Sequence, residues 1–197
     1  MKLPHCDKLF EKFFSPWYDE EDRPKMVRPD MYQIAEFDGR PLDFDTIQYL
    51  ESGFLEYLKK FLNQTLVDAA LEDFQDITNS DQIDLAALDA VDKYYNRTKI
   101  SELIKDSDPA DFTNPYFVTV CEFGAMLGQL FRQIEGFDWL YSHPYFHSTI
   151  VHKNSGFVIT VFDWALKKFS EYGVDDGFVE KFKAALAGIN GEWQDND

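Results

Sequence analysis

Apolar positions along the chain fall into two periods, and their order predicts the architecture. From Ile47 the step is three or four residues: Ile47, Leu50, Phe54, Leu58 and Phe61 share one face, with Glu51, Glu56, Lys59 and Lys60 off it. That is the pattern of an amphipathic helix, and Asp43 or Asp45 is placed to cap its first turn. Leu66 to Phe74 predicts a shorter helix. Leu85, Leu88, Val91 and Tyr95 predict another, and Ile100, Leu103 and Ile104 a further short one. Asn114-Pro115 is a start signal, with Asn as cap and Pro at the first helical position, and Gly136 is a stop. Between them two stripes are apolar: Val120, Phe123, Leu127, Leu130 and Ile134, then Phe117, Cys121, Gly124, Gly128 and Phe131. A helix apolar nearly all round packs on both sides, so residues 115–135 are expected to form a central buried helix.

The period then shortens to two. Trp139-Leu140-Tyr141, Phe146 to His152 and Phe157 to Val161 read as strands, the last two joined through Lys153-Asn154-Ser155-Gly156. They predict a three-stranded antiparallel meander over 139–161. Asp163 is expected to cap a helix running to Phe169, with Gly173 as its stop. Asp175 or Asp176 is expected to cap a last helix with Phe178, Val179, Phe182, Leu186 and Ile189 as its stripe. The fold class is therefore α+β, mainly helical, with the central helix packed on the small meander. Residues 1–44 are broken by Pro4, Pro16, Pro24, Pro29 and Pro41. They read as an irregular extension packed on a single domain over 45–190, with Asp7 to Phe14 able to form a short helix. Met31 to Phe37 resembles a strand entering a turn at Asp38-Gly39. Residues 191–197 read as a frayed acidic tail.

Charge sharpens this picture. The 197 residues include 36 acidic and 19 basic side chains, a net charge of −17. Only Glu122, Arg132, Glu135, Asp138 and Lys153 are charged within 112–162, which marks that segment as the buried centre. The 19 Phe, 10 Tyr and 4 Trp supply an ample aromatic core, since burying one Phe is worth roughly 1.5–3 kcal/mol. The acidic balance argues against nucleic acid, whose phosphates need a basic patch, and against anionic membrane. It favours attraction to a basic protein surface. Neither an apolar run of membrane-spanning length nor a secretory signal is visible. Two cysteines do not make a disulfide framework. A reduced, cytoplasmic protein is expected.

Candidate chemistry is sparse. His143, His147 and His152 form the one histidine group, with His5 apart. In a strand over 146–152, His147 and His152 point to opposite faces, and no Cys or carboxylate stands among them at ligand spacing. Cys121 falls on an apolar stripe in mid-helix, where Cys behaves as a small hydrophobe, while Cys6 beside His5 is expected to be exposed. Glu122, in the middle of the central helix, falls between the two stripes and predicts a solvated ridge. No phosphate-binding glycine loop and no Gly-x-Ser-x-Gly elbow appear. No catalytic, cofactor or metal residue is therefore assigned. Gly124 and Gly128 share one face, and each costs about 1 kcal/mol relative to Ala in a helix interior. They predict that another backbone, of a helix or the sheet, lies close against them.

Three features stand in order along 117–187. They are the helix with Phe123-Gly124-Ala125-Met126-Leu127-Gly128-Gln129, the lone Trp139 before a strand pair, and Val161-Phe162-Asp163-Trp164-Ala165-Leu166-Lys167-Lys168 followed by Asp175-Asp176-Gly177-Phe178. This order resembles uncharacterised bacterial domain families with a glycine-bearing helix, a Trp-led hairpin and a Lys-bearing helix. In size, acidity and lack of a catalytic signature the chain is similar in general style to toxin-immunity proteins. The resemblance implies a binding module and supplies no site residues. The functional expectation is an acidic cytoplasmic protein that engages a basic protein partner through Asp19, Glu20, Glu21 and Asp22 and the exposed carboxylates of the early helices. The rival expectation is an enzyme, its site assembled from scattered residues in a cleft between the N-terminal segment and the sheet.

Overall fold

A computed structural model describes residues 2–18 and 50–189. Helix α1 is Cys6–Phe13, followed by a 3-10 turn at Ser15–Trp17. Helix α2 (Ser52–Lys60) runs through a π turn at Phe61–Thr65 directly into α3 (Leu66–Asp73). Then come α4 (Gln75–Thr78), α5 (Leu85–Tyr94), α6 (Arg97–Asp106) and α7 (Pro115–Arg132). Strands β1 (Phe137–Leu140), β2 (Thr149–His152) and β3 (Phe157–Ile159) follow, then α8 (Val161–Lys168) and α9 (Phe178–Ile189). Among these residues no helix is long and apolar enough to cross a membrane. The fold is α+β and mainly helical, as the periodicity predicts.

Helix α7 is the central element. Asn114 Oδ1 accepts from Phe117 N at 2.9 Å and Pro115 opens the first turn, so the cap read from sequence is the cap used. Both apolar stripes are buried as far as Phe131, because α3 and α8 pack against this helix, which ends at Arg132 short of the expected 135 and leaves Ile134 half-buried beyond it. Rings fill the contacts: Phe123 meets Phe178 at 5.1 Å and Phe131 meets Phe182 at 4.5 Å between centroids. Helix α1 belongs to the same core through Leu3, Cys6, Leu9, Phe13 and Phe14, with Phe13 on Tyr116 at 4.7 Å. Gly136, at φ 93°, then swings the chain from helix into strand, a conformation that glycine adopts without strain.

The strands form an antiparallel meander in the order β1-β2-β3. Trp139 pairs with Ile150 and Ile150 with Ile159, giving one buried cross-strand row. Strands β2 and β3 are shorter than the sequence suggests, and β1 covers Phe137–Leu140 in place of the expected Trp139 to Tyr141. After Pro144 the chain makes a 3-10 turn over Tyr145–His147 instead of extending, and Val161 already belongs to α8.

Two further expectations are corrected here. Gly124 and Gly128 do admit close neighbours, but these are rings and not backbone. A Cβ on Gly124 would overlap the Phe162 ring of α8, and one on Gly128 the Trp139 indole of β1. Both rings are buried and have little room to retreat. Gly128→Leu is accordingly expected to lose about 1–3 kcal/mol or more through overpacking. Urea denaturation of the variant checks this, and an unchanged midpoint would contradict the packing. The capping assignments also change. Asp163 is not a cap but sits in the first turn of α8, buried and 2.8 Å from Lys167 Nζ. The first turn of α9 is capped from α5, since Phe178 N donates to Asp92 Oδ2 at 3.2 Å. Asp175 and Asp176 pair instead with Arg97 and Lys181.

Candidate protein-binding face

Between Lys60 and Lys93 the chain carries Asp68, Glu72, Asp73, Asp76, Asp81, Asp84, Asp89 and Asp92 and no Lys, Arg or His. The fold turns this run into a surface. Leu66, Val67 and Ala70 are the buried side of α3, which sets Asp68, Glu72 and Asp73 outward. Helix α4 ends at Asn79, in the left-handed region at φ 51°, which Asn tolerates better than most residues. Ser80 Oγ then accepts from Gln82 N at 3.1 Å, and Asp84 Oδ1 caps α5 by accepting from Ala87 N at 2.8 Å. The ordered connection holds Asp76, Asp81 and Asp84 in solvent.

Two open hollows meet at this rim, sharing Asp84 and Gln133. One, of about 460 Å³, has Val67 and Leu71 in its floor beside Asp81 and Gln129. The other, of about 550 Å³, is floored by Leu130, Ile134 and Phe182. Gln133 Nε2 donates to Ile83 O at 2.9 Å, tying the end of α7 to the acidic connection. An apolar floor with carboxylates around it accepts a side chain that is aliphatic along its stem and cationic at its tip.

Several charges cancel locally. Lys59 pairs with Glu56, Lys93 with Asp89, Lys99 with Glu102, Lys153 with Asp138 and Lys183 with Glu180. Within the run Asp68, Glu72, Asp73, Asp76, Asp81 and Asp84 are exposed, whereas Asp89 pairs with Lys93 and Asp92 with Lys168.

That face continues inward. Glu122 is 2 % exposed, and its Oε2 has no hydrogen-bond partner among the described residues. Burial pushes its carboxyl up to about 8, and the neighbouring Asp73 carboxylate adds to the rise. Burial likewise pushes the nearby Tyr95 hydroxyl up to about 12. The solvated ridge expected at Glu122 is thus corrected: α3 lies over it, and it is a buried acid beneath the acidic surface.

Of the other singled-out residues, His143, His147, His152 and Cys121 do not converge on one site. His143 stacks edge-on to Phe54, and His152 Nδ1 lies 2.8 Å from Ser155 Oγ. His147 is buried against Tyr18, whose hydroxyl it contacts through Nε2, and burial pushes it down to about 4. Cys121 is buried in α7, where desolvation pushes its thiol up. Cys6 is buried too, against expectation, because the first turn of α1 directs it into the core. Asp19, Glu20, Glu21 and Asp22 lie outside the described residues. Between α1 and the α8 side of the molecule, Phe10, Phe14, Phe146 and Phe162 close a gap of about 10 Å³, room for about one water. The signal for the acidic face was present in the sequence as a long stretch without a base. Its apolar hollows were not, since they join α3, α5, α7 and α9.

No family model matches the chain, and no curated protein or solved structure matches it either.

Proposed function

We propose that the protein is a binding module that engages a basic protein partner in the cytoplasm, in the manner of an immunity protein, through the face built from α3, the α4–α5 connection and the end of α7. The supporting observation is the run of eight carboxylates without an intervening base, of which Asp68, Glu72, Asp73, Asp76, Asp81 and Asp84 are exposed and Asp81 and Asp84 edge two apolar hollows. The field of the carboxylates steers a cationic surface into encounter. Lys or Arg stems then cover the floor while their tips meet Asp81 and Asp84. Asp19, Glu20, Glu21 and Asp22 add four further negative charges to the chain.

Charge is what the test must vary. With a basic partner recovered by pull-down, the association rate is expected to fall steeply with salt, as the screening length shrinks from about 10 Å at 0.1 M to about 3 Å at 1 M. Joint replacement of Asp76, Asp81 and Asp84 by Asn, which keeps a capping side chain at 84, is expected to slow association about tenfold. Dissociation should change less, because rim charges act mainly on encounter. Asp175→Asn with Glu180→Gln, on another face, is the control and should slow association far less. Stopped-flow or surface-binding kinetics separate the two rates. An association rate indifferent to salt would overturn the proposal.

A further inference from the structure

The structure assigns a metal-binding site to His5, Cys6 and Asp7 at the start of α1, for a tetrahedral divalent cation of the zinc type. Each of the three side chains offers one ligand atom, and these atoms all lie within 4.8 Å of one another. His5 Nδ1 is 3.6 Å from Cys6 Sγ and 3.1 Å from Asp7 Oδ2, and Cys6 Sγ is 3.9 Å from Asp7 Oδ1. A tetrahedral zinc ion, with bonds of about 2.0–2.1 Å to N and O and about 2.3 Å to S, requires ligand separations of roughly 3.3–3.6 Å. The His5–Cys6 edge already has the size that the ion needs, whereas the two distances to Asp7 run to different oxygens, so a turn of its exposed carboxylate must bring one oxygen within reach of both other ligands. One thiolate, one imidazole and one carboxylate also make a donor set that suits zinc better than magnesium or calcium, which prefer oxygen alone.

The site is held in place from behind. Glu171 N donates to Pro4 O at 2.9 Å, Tyr172 meets the His5 ring edge-on at 6.0 Å, and Leu3 and Leu9 are buried on either side. Cys6 sulfur is the inner corner, whereas His5 and Asp7 are about half exposed or more, so the fourth coordination position opens to water. Among the contacts that ligation displaces, the helix cap from Asp7 N to His5 Nδ1 is long at 3.4 Å. On binding, the ion takes the place of the Cys6 thiol proton, which leaves to solvent.

Titration of the full chain with Co2+ tests the site directly. A sulfur-to-cobalt charge-transfer band, tetrahedral visible bands, a stoichiometry of one ion and displacement by Zn2+ are expected. Cys6→Ser should abolish the charge-transfer band. His5→Gln, at a surface position that does not endanger folding, should weaken binding by more than the roughly 10–100-fold that loss of an outer-shell partner costs. Zn2+ should also raise the thermal midpoint of the unaltered chain and not that of His5→Gln. Absence of the band, an octahedral spectrum, or unchanged affinity in His5→Gln would overturn the assignment.

Discussion

Lys168→Ala is expected to cost about 3–5 kcal/mol of folding stability, the range for removing one member of a buried ion pair. Lys168 is 3 % exposed and its Nζ lies 2.6 Å from Asp92 Oδ1. The same ammonium donates to Asp92 O at 2.9 Å and to Val174 O at 3.1 Å. The other Asp92 oxygen accepts from Phe178 N at the start of α9. One lysine thus holds α5, α8 and the entry to α9 together, and its loss strands a carboxylate and two carbonyls in poor solvation. Lys168→Met keeps the stem and should lose nearly as much, because the unpaired charge is the cost and not the lost packing. Combining Lys168→Met with Asp92→Asn should recover part of the deficit, since Asn removes the stranded charge and still offers Phe178 N an acceptor. Urea unfolding followed by far-ultraviolet circular dichroism measures all three. A loss below about 1 kcal/mol for Lys168→Ala would contradict the buried-pair reading.

Glu122→Gln should be stabilising, increasingly so as pH rises above about 4.5. The folded carboxyl stands at about 8 against 4.5 for the free side chain. Below about 4.5 the acid is protonated in both states, and its contribution is fully present. As pH rises from 4.5 towards 8, the unfolded chain ionises while the folded one does not. Stability then falls by about 1.4 kcal/mol per unit, levelling off above 8. Glutamine resembles the neutral acid in shape and never ionises, so the variant should gain up to about 3–5 kcal/mol over the unaltered protein at pH 9 and almost nothing at pH 4.5. His147 has the opposite sign: its folded value is lowered from 6.5 to about 4. The stability that it contributes is present above 6.5 and lost as pH falls through 4. The window from pH 7 to 9 therefore isolates Glu122. Thermal or urea midpoints at pH 5, 7 and 9 give the difference curve, and parallel curves for the two proteins would refute it.

What could be read from the chain was local. The Asn114-Pro115 cap and the order of three antiparallel strands depend on near neighbours in sequence and appear as expected, although α7 ends at Arg132 and the strand bounds are shifted. What could not be read depends on distant partners. Asp92 caps a helix 86 residues away, and no spacing rule reaches that far. Glu122 looks solvated on a helical wheel because a wheel does not show α3 lying across it. The same holds for Cys6, whose burial is decided by the side of α1 that meets the core. Along the acidic run each carboxylate reads as an ordinary solvated residue. Only the meeting of α3, α5, α7 and α9 shows that apolar hollows lie beside them.

The π turn at Phe61–Thr65 resolves a mismatch of phase in the sequence. Leu58, Leu62, Leu66, Ala70 and Phe74 are all buried, and they recur at a constant interval of four. An α-helix turns about 100° per residue, so a four-residue repeat slips by about 40° each time. Over these four intervals the stripe would wind some 160° around an unbroken α-helix, carrying one end away from the core. A π turn takes more residues per revolution and so takes up much of that slip within one short stretch. Helices α2 and α3 therefore keep one seam turned inward, and a sequence that seems out of step with helical periodicity builds a continuous rod. A helix drawn across 52–73 with a uniform 3.6 repeat would misplace which residues of α3 look outward, and with them the carboxylates Asp68, Glu72 and Asp73.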